Sequence, residues 1–145
     1  MSLSSQRIKP VPCETARVAR AAFPKGNIYM TMRDELGTIY RDKDFADLFA
    51  LEGQPAYCPW RLALICVMQF VAGLSDRQAA EAVRSRIDWK YALSLELSDP
   101  GFDFSILSEF RQRLLEGKAE QRLLDKLLER CQEKGWVKAR GKLPK

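Results

Sequence analysis

Residues 59–73 read Pro59-Trp60-Arg61-Leu62-Ala63-Leu64-Ile65-Cys66-Val67-Met68-Gln69-Phe70-Val71-Ala72-Gly73, with Arg61 the only charged side chain among them. Proline suits the first position of a helix, where its missing N–H would be unpaired in any case. Glycine suits the position just past the end, where the chain adopts a left-handed turn. Between them the run is apolar nearly all round, so it belongs at the centre of a domain with neighbours on most sides. It is not a membrane span: the apolar run from Leu62 to Leu74 is interrupted by Gln69 and falls short of the roughly 18–20 residues a bilayer needs.

Helical signals continue on both sides. Ser75-Asp76-Arg77-Gln78 has the form of a capping box, in which the serine hydroxyl and the glutamine side chain satisfy each other's backbone N–H groups. The helix it opens runs to about Arg86 and puts Ala79, Ala82 and Val83 on one face. Asp88 is expected to cap a short helix over Trp89–Leu95, and Ser98-Asp99-Pro100-Gly101 is a turn. Asp103 or Ser105 then caps a helix with Leu107, Phe110 and Leu114 at helical spacing. The spacing predicts a last helix from about Lys118 to Lys134, with a stripe of Leu123, Leu124, Leu127, Leu128 and Cys131. Gly135 follows it, with Trp136 and Val137 expected to pack back. Upstream, Glu14–Ala22 reads as helix, residues 28–36 as a second closed by Gly37, and Asp44 as the cap of a third that Gly53-Gln54-Pro55 stops. Nothing alternates like a strand. The expected fold is all-α: a compact multi-helix domain around the central apolar helix (about 59–73), with a helix-turn-helix-like pair and a long C-terminal helix. The expected division is a basic, partly helical segment over 1–33, a helical domain over 34–137 and a basic tail over 138–145.

The 145 residues are 46% hydrophobic and 30% charged, an ordinary globular balance that supports one domain with a real core. There is no histidine, which excludes Ser-His-Asp triads, Cys-His dyads and Cys₂His₂ zinc sites. Cys13, Cys58, Cys66 and Cys131 contain no CxxC pair and read as small buried or half-buried thiols. Neither GxxxxGK nor GxGxxG occurs. Asp125, Glu129 and Glu133 sit at i,i+4 spacing beside basic residues, as solvated ion pairs do. Asp34-Glu35 and Asp42/Asp44 lack a third ligand at a defined spacing. No catalytic site, metal or cofactor is implied. With no apparent secretory signal, a cytoplasmic, nucleoid-associated protein without a membrane partner is expected.

The formal charge of +5 is unevenly spread. Residues 1–33 carry six basic side chains and one acid, residues 34–104 seven and twelve, and residues 105–145 eleven and six. Basic ends commonly meet phosphate backbone, which makes Lys138, Arg140 and Lys142 candidate DNA contacts. The helices flanking Gly73 fit a helix-turn-helix, which needs a tight turn and apolar residues on both sides of it. In that geometry Arg77, Gln78, Arg84 and Arg86 are the side chains available to phosphates or base edges. Asp76 and Glu81 share the exposed surface, and a capped antiparallel hairpin gives the same pattern.

Three segments together resemble a known family. They are Tyr57-Cys58-Pro59-Trp60-Arg61-Leu62-Ala63-Leu64, then Gln69-Phe70-Val71-Ala72-Gly73-Leu74-Ser75-Asp76-Arg77-Gln78, then Ile87-Asp88-Trp89-Lys90-Tyr91-Ala92-Leu93. They look like the N-terminal domain of DDE-type insertion-sequence transposases. Asp99 to Leu114 is similar to that domain's D-x-S-x-L-x-x-F-R-x-R-L segment, and the likeness covers about residues 34–140. The resemblance implies that a basic stretch like Val137-Lys138-Ala139-Arg140-Gly141 leads into an RNase-H-like catalytic domain. None of that domain's three metal-binding acids has a counterpart here. The resemblance therefore implies a non-catalytic DNA-binding or assembly domain of a truncated or split transposase. Its partners would be duplex DNA at element ends, and a second copy or a separate catalytic chain. The alternatives are a dimerisation module, or a relic with little DNA affinity.

Overall fold

The computed structural model describes residues 8–49 and 57–136. Along them lie α1 (Cys13–Ala22), α2 (Ile28–Leu36), a 3-10 turn (Asp42–Phe45) leading into α3 (Ala46–Phe49), α4 (Pro59–Ala72), α5 (Asp76–Ser85), α6 (Ile87–Ala92), α7 (Phe104–Glu116) and α8 (Glu120–Glu133). No strand occurs among the described residues. The fold is all-α.

The central apolar helix is α4. Trp60, Leu62, Ala63, Leu64, Ile65 and Met68 are buried in one core that also takes in Phe45, Trp89, Leu107, Phe110 and Leu114. Around it pack the 3-10 turn, α5 and α7, while α6 sits against α1, α2 and α5. The last turn of α4 departs from the expectation of neighbours on most sides. Phe70 is 88% exposed and Val71 is also exposed, because the chain reverses at Gly73 and α5 leaves in another direction. Gly73 adopts φ 69°, ψ 40°, a left-handed conformation that costs a side-chain-bearing residue energy. The Leu74 N–H closes the turn on the Gln69 carbonyl at 3.1 Å.

Side-chain caps open α2, α5 and α7. Asn27 accepts from the Met30 N–H (3.0 Å) and Asp103 from the Ser105 N–H (3.0 Å). The Ser75–Gln78 box forms with both bonds present. Two expected caps differ. Asp44 accepts from the Arg41 N–H at 2.9 Å and so closes the 3-10 turn rather than capping a helix. Asp88 lies inside α6, whose cap position is Arg86. The buried carboxylate of Asp88 accepts from Arg86, from the Trp89 N–H and from the remote Asn27, as described below.

α1 and α2 join the rest through α6. Ala19, Met30 and Tyr91 form a second buried cluster, and the buried Thr15 hydroxyl donates to the Leu95 carbonyl at 2.7 Å. Residue 34 falls within α2. At the other end, α8 lies on the core by one edge only. Leu123, Leu127 and Cys131 pack against it while Leu124 is exposed. Gly135 has the expected positive φ, and the Trp136 N–H bonds the Cys131 carbonyl at 2.9 Å, but the indole stays exposed instead of packing back. Cys13 is also exposed, contrary to expectation, whereas Cys58, Cys66 and Cys131 are half-buried. Val137, the 53–55 stop and the tail lie outside the described residues.

Candidate nucleic-acid interface

α5 has two sharply different sides. Ala79, Ala80, Ala82 and Val83 are buried, and their small size lets the helix lie close to α6 and α7. Gly101 (φ +76°) brings the loop before α7 against the backbone of Arg84, where an added Cβ would meet the Arg84 Cβ at 3.6 Å. The opposite side exposes Arg77, Gln78, Glu81, Arg84 and Ser85.

A polar clasp fixes this helix to its neighbours. Asp76, in the first turn of α5, accepts from Gln69 Nε2 of α4 (2.8 Å), from Ser108 Oγ of α7 (2.7 Å) and from Arg111 Nη1 of α7 (2.9 Å). Arg111 Nη2 returns to Gln69 Oε1 at 2.7 Å. The carboxylate also lies near the N-terminal dipole of α5, a favourable place for negative charge. Burial pushes the Asp76 pKa up, but the donations from Gln69, Ser108 and Arg111 outweigh it and hold the group below its ordinary value. Asp76, read from sequence as an exposed acid, is thus a junction of three helices. The clasp holds the α4–α5 corner at one angle, and most of it comes from α7, which packs on α5 more extensively than α4 does. The pair is therefore one part of a three-helix arrangement.

The candidate contacts from the sequence fall into different situations. Arg77 lies over the Phe104 ring, 4.0 Å from its centroid. Stacking uses the face of the guanidinium and leaves its in-plane N–H groups free to donate. Gln78 spends its Oε1 on the Ser75 N–H, 2.9 Å away, and keeps its amide NH₂. Arg84 meets Glu81 at 3.9 Å with both side chains exposed, a pairing of little strength. Arg77 and Arg84, seven residues apart, stand about two turns or ~10 Å apart along the axis. Arg86 is committed elsewhere. Its Nε and Nη2 donate to the two oxygens of Asp88 at 3.0 and 2.5 Å, and it lies over the Tyr29 ring. Asp88 is buried and also accepts from Asn27 and the Trp89 N–H, so Arg86 neutralises a core carboxylate. Lys138, Arg140 and Lys142 lie outside the described residues.

The acids considered as cation ligands are occupied. Asp42 accepts from the Trp60 N–H at 3.0 Å and Asp34 from the Tyr91 hydroxyl at 2.5 Å. Among the described residues no three Asp, Glu or Cys side chains converge as a metal site would require. Burial pushes the Cys66 thiol up to about 11, away from the thiolate form that reacts.

The family model described as Transposase domain (DUF772) matches residues 17–113, more than half of the chain. The chain belongs to this transposase domain family. No curated protein and no solved structure matches it. The matched span of the transposase domain contains all four members of the clasp and all four candidate residues of the α5 region, while α8 lies beyond it. No helix among the described residues is long and apolar enough to cross a membrane.

Proposed function

We propose that this transposase domain is the non-catalytic, DNA-binding N-terminal part of a DDE-type insertion-sequence transposase, and that it engages duplex DNA at the ends of its element. The observation that carries the reading is the outward side of α5. A helix clamped on its inner face by Asp76 presents Arg77 and Arg84 two turns apart, with the Arg77 donors oriented by Phe104. Oriented guanidinium groups are suited to phosphate oxygens and to guanine edges. The basic terminal segments add charge without sequence preference. The test is fluorescence anisotropy of a labelled element-end duplex titrated with the protein at several salt concentrations. A binding constant that falls steeply with salt supports the reading. Absence of binding at low salt overturns it.

A second reading, a dimerisation module, is favoured by the exposed Phe70 and Val71 at the end of α4. Phe70 borders a depression shared by Cys66, Gly73 and Leu74. Light scattering of the protein and of Phe70→Ser distinguishes the two: a dimer that the substitution splits, combined with no DNA binding, selects this reading.

A further inference from the structure

Away from α5, the turn following α2 faces α8 across a cavity of about 290 Å³ lined by Leu36, Arg41, Lys43, Lys126, Glu129 and Arg130 among others. Four of these side chains are cationic and one is acidic. Among the described residues the neighbouring acids of the turn form no ion pair with these cations. Asp42 is spent on the Trp60 N–H, Asp44 on the Arg41 N–H, and Asp47 on Arg122. Arg41 and Lys43 are exposed and have no ion-pair partner among the described residues. Lys126 has only the exposed Glu129, at 3.9 Å.

Arg130 is held differently. Its Nε and Nη2 donate to the Leu36 carbonyl at the end of α2 (3.2 and 3.0 Å) and its Nη1 to Glu133 (3.1 Å). Three of the five N–H groups of a guanidinium are thereby used, and one on each terminal nitrogen remains. A fixed guanidinium with two spare donors, beside three further cations of which only Lys126 has an ion pair among the described residues, in a cavity of this size, has the composition of a phosphate site.

We propose that this cavity binds a backbone phosphate of duplex DNA, giving the domain a second contact on the face formed by the α2 turn and α8. The proposal rests on the DNA-binding reading and deepens it. The cavity is built from residues about 85 positions apart and includes α8, which the family match does not reach.

The test uses the full chain. Lys43→Ala/Lys126→Ala removes two cations held, among the described residues, by nothing stronger than the exposed Lys126–Glu129 pair, so folding, checked by the thermal midpoint, is expected to be nearly unchanged. Duplex binding should weaken roughly tenfold near 0.1 M salt, and the slope of log K against log salt should flatten by up to about 0.9 for each phosphate no longer neutralised. Glu129→Gln, which removes the one acid from the lining, should strengthen binding, whereas Glu116→Gln at the exposed end of α7 should do so less. Inorganic phosphate followed by amide NMR should shift resonances around residues 36–43 and 126–130 in the parent, and not in the double variant. If the parent binds duplex while the double variant matches it in affinity and slope, the cavity proposal fails and the DNA reading stands. If the parent binds no duplex at low salt, both fail.

Discussion

Asp76 and Arg86 are both charged side chains that the sequence offers to solvent and the fold binds to its own groups. Asp76 is half-buried among three helices, and Arg86 is exposed but paired with the buried Asp88. Replacing Asp76 by alanine leaves Gln69, Ser108 and Arg111 without their shared acceptor. The cost should be about 2–3 kcal/mol, the range for a partly buried hydrogen bond to a charged group, read from urea denaturation. The pH dependence has a definite sign. The folded pKa of Asp76 lies below its ordinary 3.8, so its contribution is fully present above about pH 4 and is lost as the pH falls through the folded value. Asp76→Asn should therefore lose less stability than the parent between pH 5 and about pH 3; parallel curves would remove Asp76 as the responsible group. Arg86→Ala should cost about 2–3 kcal/mol, because it takes away the cation facing the buried Asp88. It should leave the discrimination between DNA sequences unaltered. A stable Arg86→Ala protein with relaxed discrimination would return Arg86 to the interface.

Helices were the easiest level to read, and the reason is local. The Ser75 box, the Pro59 start, and the Gly37, Gly73 and Gly135 stops each act within a few residues, and each forms. Leu107, Phe110 and Leu114 are buried as their spacing predicts. What failed depended on partners distant in sequence. Asp88 is taken by Asn27, 61 residues away, as well as by nearby Arg86, and the clasp links α4 to α7 across 42 residues between Gln69 and Arg111. No periodicity announces such pairings. Arg113 shows the same limit: a helical wheel places it outside, yet its Nη1 donates to the Leu48 carbonyl at 3.1 Å. Two substitutions within α7 follow. Phe110 meets Phe45 edge-on, with ring centroids 5.6 Å apart, and Phe110→Ala should cost about 3–5 kcal/mol by leaving a cavity. Arg113→Ala should cost at least about 1 kcal/mol instead of nothing, the usual net worth of the hydrogen bond to Leu48. Equal denaturation midpoints for Phe110→Ala and the parent would place the core elsewhere.

At the scale of the molecule, charge and architecture divide the work. On the non-catalytic reading proposed above, the protein alone should not nick DNA with Mg²⁺ or Mn²⁺, because two-metal phosphoryl transfer needs a cluster of metal-binding acids. Nicking that persists through purification and vanishes in a point mutant would contradict this. Apart from the cavity contact proposed above, binding should separate into two components. Four of the last eight residues are basic, whereas residues 34–104 are net negative, so nonspecific affinity should come mainly from the ends. Removing residues 138–145 should weaken binding to every duplex alike, and flatten the salt slope by up to about 0.9 per phosphate released from a cation. Arg77 and Arg84 belong to a rigid helix, and changing both to alanine should act on discrimination. The gap between element-end and random duplex should shrink by roughly 1–3 kcal/mol per base contact. Anisotropy on both duplexes at three salt concentrations measures slope and gap together. The two components are independent only if α5 reads bases while the ends bind phosphates. A tail deletion that narrows the gap, or an α5 variant that changes only the slope, would mean that the contacts are arranged the other way round.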